Sequence, residues 1–140
     1  MTLTIAVLLI AQTAVGMVVN LYVSVPAHHP GAQPANYFTG SLHSITWAIG
    51  HGALALAIHA SLGIAIVAIA IWVAVHAARL RSPWVALTSV LAAGLVIGAG
   101  FNGASFVDFN HTVSSLLMAL LALGALSCYL TILYLLPGRP

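Results

Sequence analysis

A chain of 140 residues with 62% hydrophobic and only 3% charged side chains cannot cover a soluble surface with charge, which makes it an integral membrane protein. Three arginines and one acid, Asp108, leave a formal charge of +2 without a basic run, so no nucleic-acid partner is implied. A single carboxylate side chain excludes paired-carboxylate hydrolysis within one chain, and a single cysteine, Cys128, excludes an intrachain disulfide.

The pattern predicts an all-α, polytopic four-helix transmembrane bundle forming one domain over residues 1–140. The first span is expected at about 4–25. It lacks a basic residue in front and runs too long for a signal peptide, so it reads as a retained helix. Gln12 and Asn20 interrupt it, and an amide in hydrocarbon is costly unless bonded, so both are expected to face inward. Residues 26–42, with Pro26, Pro30, Pro34, Gly31 and Gly40, read as an outer loop. In that loop His28 and His29 are solvent-exposed, and Tyr37 and Phe38 are placed to rest at the lipid headgroups.

The apolar stretch from 43 to 78 is too long for one crossing of a ~30 Å hydrocarbon core at ~1.5 Å per residue. A break at Gly50 and Gly52 divides it into a short helix over 41–50 and a second span over 52–78. On that span His59 shares a stripe with the small residues Ala55, Gly63, Ala70 and Ala77 and therefore points into the bundle. A tight connection through Arg79, Arg81 and Pro83 leads to a third span at about 84–103. Residues 104–110 are expected to form a second outer loop. The fourth span, about 111–136, aligns His111, Ser115, Met118, Ala125 and Tyr129 on its inner stripe. Arg79, Arg81 and Arg139 all fall on one side, which puts both termini in the cytoplasm by the positive-inside rule.

Counted at ~1.5 Å per residue, Asn20, His59, Asn102 and the Ser115 to Met118 turn lie roughly 25 to 32 Å from the inner helix ends. Four helices thus bring polar groups to one level, with His51, His111 and Asp108 above it. Ionisable groups within spans are functional candidates because their burial has to be compensated. One reading is a haem b in the outer half, held by His59 or His51 from the second span and His111 from the fourth. Met118 is a sulfur ligand to consider, and Asn20, Asn102 and Ser115 supply polar contacts. A second is a copper or zinc site drawn from His28, His29, His51, His59, His111 and Asp108. A third is a cofactor-free accessory or assembly subunit, whose polar layer only hydrogen-bonds across helices.

The segment Ile58-His59-Ala60-Ser61-Leu62-Gly63, a histidine followed by a leucine-glycine pair one turn on, resembles the ligand helices of four-helix membrane b-type cytochromes. The resemblance covers about six residues and implies electron transfer through a bis-histidine haem, to or from a quinone. The expected setting is a multi-pass protein of a prokaryotic plasma membrane. Its expected partners are the lipid bilayer, a quinone or a larger membrane complex, and a second copy of the chain.

Overall fold

The structure is a computed structural model and describes residues 1–80 and 82–135. Arg81 and residues 136–140, including Arg139 and the last residue of the expected fourth span, lie outside the described residues. Five helices follow one another: α1 Thr2–Tyr22, α2 Tyr37–His51, α3 Leu54–Ala77, α4 Pro83–Phe109 and α5 Thr112–Leu135. Four of them, α1, α3, α4 and α5, are long and apolar enough to cross a bilayer, and no strand occurs among the described residues. The protein is therefore an all-helical, multi-pass membrane protein whose outward faces meet lipid.

Around the bundle α1 packs on α3 and α5, and α4 packs on the same two helices. Among the described residues the diagonal pairs, α1 with α4 and α3 with α5, make no close backbone approach. At the Arg79 end the centre is filled by Ile5 and Leu9 of α1, Ile66, Ala70 and Val73 of α3, Val96 of α4, and Tyr129 and Ile132 of α5. Their spacing of three and four residues puts each set on one helix face. A second, smaller cluster of Val19, Ala48, Leu56 and Val107 lies at the α2 end. The space between the two clusters is where the bundle is open.

Two boundaries shift by four residues or more from the sequence expectation. The outer loop predicted over 26–42 is shorter, because α2 begins at Tyr37, four residues before the expected start at 41, with the Asn36 side chain capping it by accepting a 3.2 Å bond from the Thr39 amide. Asn36→Ala is expected to cost about 1 kcal/mol of stability, read as a lower unfolding midpoint in detergent. The helix then runs through Gly50, and the break falls at Gly52, whose backbone is extended. Residues 104–109, predicted as loop, are the last turns of α4, which ends where Asn110 adopts a left-handed conformation with φ 53°. Nothing in Ala104 to Phe109 breaks a helix, and Val107 and Asp108 are buried beneath α2 and the preceding loop.

That covering layer is a hydrogen-bonded cap. Ser41 Oγ donates to Asp108 Oδ2 at 2.7 Å, and the Gln33 amide donates to the Asp108 carbonyl at 3.0 Å. Tyr37 donates to the Phe101 carbonyl at 2.9 Å and meets Ser105 Oγ at the same distance. His29 lies 3.1 Å from the Val107 carbonyl and stacks on Trp47 with ring centroids 4.4 Å apart. α2 is thus tied to the Phe109 end of α4.

Candidate functional site

The open region consists of two clefts, of about 410 Å³ and about 390 Å³, that share a wall containing Gly16, Asn20, His59, Gly63, Ser115 and Met118. The first is roofed by Phe38, Leu42 and Ile45 of α2 and reaches the exposed Ile64 of α3 and Phe101 of α4. The second reaches the exposed Met17 of α1 and Leu116 of α5. Both mouths therefore face the lipid sides of the bundle, and the space between them runs across its centre. Each volume is that of a small-molecule site. The walls are almost wholly apolar, and among the described residues His59 is the only ionisable side chain in either.

His59 is held by a reciprocal fit between α1 and α3. Its ring lies against Gly16, where an added Cβ would stand 2.8 Å from Cε1. Gln12, one turn before Gly16, reaches α3 beside Gly63, where an added Cβ would stand 3.1 Å from the Gln12 amide nitrogen. That nitrogen is 3.0 Å from the His59 carbonyl and 3.3 Å from His59 Nε2. Two glycines, each four residues after a polar side chain, clear the space that the opposite side chain occupies. Sequence reasoning turned Gln12 inward but missed it as a site residue. The available signal was Gln12 and Gly16 on one face of α1, matching His59 and Gly63 on α3. Two atoms of this pair, His59 Nδ1 and Gln12 Oε1, are buried without a hydrogen-bond partner. Such groups cost about 1–3 kcal/mol each when nothing bonds them.

Of the predicted polar layer, Asn20, His59, Ser115 and Met118 do meet in the shared wall, and Ser115 Oγ donates to Asn20 Oδ1 at 3.1 Å. Asn102 does not: its amide turns back to the Gly98 carbonyl of its own helix at 2.9 Å. His51 is exposed at the end of α2, and His111 is exposed before α5 begins, its ring stacked near Phe109 at 5.8 Å. Neither lines a cleft. His28 is exposed, His29 is occupied by backbone carbonyls, and Asp108 is occupied by Ser41. Among the described residues no three His, Cys, Asp or Glu side chains converge as a metal site, so the outer ligand cluster expected for copper or zinc is not assembled. The reason is that the cap and the inter-helix turn direct these side chains to different surfaces.

The residues present also do not fit the bis-histidine haem that the local resemblance implies. Among the described residues no second imidazole lines the clefts and no cationic side chain lines them to meet a propionate, and His59 Nε2 already faces the Gln12 amide. Met118 keeps its place there, with its sulfur 3.1 Å from where a Cβ on Gly103 would stand.

Fold and clefts together define a multi-pass membrane protein whose helix bundle holds a candidate site, apolar and centred on one histidine. Comparison with known protein families, curated proteins and solved structures finds no match to this chain.

Proposed function

We propose that this is a redox-associated membrane protein that binds a quinone-class molecule from the bilayer, with its head group at His59. The observation that carries the reading is the lone imidazole in the wall common to two apolar clefts that open towards lipid. A quinone is a flat apolar ring with hydrogen-bonding carbonyls and a hydrocarbon tail. The ring suits the apolar wall of Val67, Ala99 and Gly100 common to both clefts, the carbonyls suit the polar group of His59, Gln12 and Asn20, and the tail can remain in lipid through either mouth. Apolar ligands of this kind reach a site sideways from the membrane, so no aqueous channel is needed.

The test is binding of a short-chain benzoquinone to the protein in lipid nanodiscs, followed by tryptophan quenching, together with extraction of any native quinone that copurifies. Saturable binding is expected, weakened about tenfold or more in His59→Ala, equivalent to losing about one hydrogen bond at 1.4 kcal/mol. Absence of saturable binding would count against the reading. A Soret band lost in His59→Ala would give the site to haem b instead, and copurification with larger subunits without any small molecule would give the accessory role.

A further inference from the structure

The bonds of Gln12 determine where the proton of His59 sits. The amide atom 3.0 Å from the His59 carbonyl has to be the nitrogen, because two carbonyl oxygens would repel at that distance. The same nitrogen lies 3.3 Å from His59 Nε2. An amide NH₂ group has two hydrogens to give and accepts none, so one hydrogen goes to the carbonyl and the other to Nε2. Nε2 must then carry a lone pair, and the neutral ring carries its proton on Nδ1. Nδ1 is the ring nitrogen without a partner, packed 3.4 Å from where a Cβ on Gly16 would stand.

We propose that Gln12 is a positioning residue that holds His59 as the Nδ1–H tautomer, so that the site recognises a carbonyl acceptor. This rests on the quinone reading of the same clefts for the identity of the acceptor, but not for the tautomer. In this state neither ring nitrogen offers a metal a free lone pair: one accepts from Gln12 and the other bears hydrogen. The unpartnered Gln12 Oε1 adds an acceptor beside this donor, and Gln12 lines the second cleft. One donor and one acceptor are the complement of a molecule that alternates between carbonyl and hydroxyl. The oxidised ring takes the hydrogen bond from His59, and the reduced ring can give one to Gln12. Nδ1 lies just behind the cleft surface, so contact with a carbonyl requires the ring edge to move out from Gly16 into the cleft that the side chain already lines.

The experiment is nitrogen-15 NMR of the full chain, labelled at histidine, in nanodiscs, where the couplings of the ring protons distinguish the two tautomers. Wild type should show His59 with Nδ1 protonated, and Gln12→Leu should move it toward the Nε2–H form. Addition of a short-chain oxidised benzoquinone should move the His59 Nδ1–H proton downfield, with affinity about tenfold lower in Gln12→Leu. A wild-type His59 protonated at Nε2 would overturn the proposal, and this needs no variant to fold. A benzoquinone that binds without moving the Nδ1–H signal would overturn the proposed contact while leaving quinone binding intact. An Nδ1–H tautomer with no benzoquinone binding would support the role of Gln12 and count against the quinone reading alone.

Discussion

Gly16→Ala is expected to destabilise the bundle by about 1–3 kcal/mol, the usual range for overpacking a close contact. The new methyl would stand 2.8 Å from His59 Cε1, nearer than carbon atoms approach. Nε2 is held at 3.3 Å by Gln12, so forcing the imidazole out from Gly16 strains that bond. Either the ring leaves its partner, orphaning another buried polar group, or α1 moves off α3. Both routes lower the unfolding midpoint in mixed micelles. His59→Ala in the same chain removes the obstructing ring, so the double variant should recover most of the loss. A double-mutant cycle therefore reads a strong coupling between the two positions, whereas equal and additive losses would refute the packing described here. On the quinone reading the double variant, which lacks the imidazole, should lose benzoquinone binding even where its stability recovers, which separates the packing effect from the binding effect.

Ser41→Ala is expected to be as damaging at the cap, about 2–3 kcal/mol, the range for removing a hydrogen bond to a charged group. Asp108 is 2% exposed, and among the described residues its Oδ2 accepts only from Ser41 and its Oδ1 has no partner. Taking away that hydroxyl leaves a buried carboxylate side chain with nothing bonded to it, which costs more than the neutral hydrogen bond alone would suggest. Asp108→Asn on the Ser41→Ala background should restore most of the stability, since an amide is cheaper to bury than a carboxylate. The measurement is limited proteolysis between residues 23 and 36 together with the unfolding midpoint. A cap unaffected by Ser41→Ala would show that Tyr37 and His29 hold α2 without the Asp108 contact. Because Phe38, Leu42 and Ile45 roof the first cleft, loosening the cap should also raise the rate at which a benzoquinone leaves.

Much of the architecture was legible because membrane insertion is decided segment by segment. Hydropathy summed over about twenty residues identifies a span without reference to its neighbours. The small stripe of α3 likewise turned His59 inward, because close helix approach in lipid selects small faces. Depth counting also placed Asn20, His59 and Ser115 to Met118 at one level, and they share a cleft wall. It failed for Asn102, whose side chain had a carbonyl available one turn back in its own helix and needed no partner across the bundle. His51 and His111 were counted above that level, and both lie outside the clefts at helix ends, where the direction of a side chain depends on the turn that follows.

By itself, then, the sequence determined a four-span helical membrane protein, a break near Gly52 and an inward His59, all of which depend on one helix at a time. Only the tertiary structure decided that Gln12 and Gly16 meet His59 and Gly63, that α4 continues to Phe109 beneath α2, and that the other histidines stay outside the clefts. Those outcomes depend on how far each helix is rotated about its axis and offset in depth against its neighbour. Rotation and offset are set by side chains packing between helices, and the periodicity of one segment carries no information about the register of another.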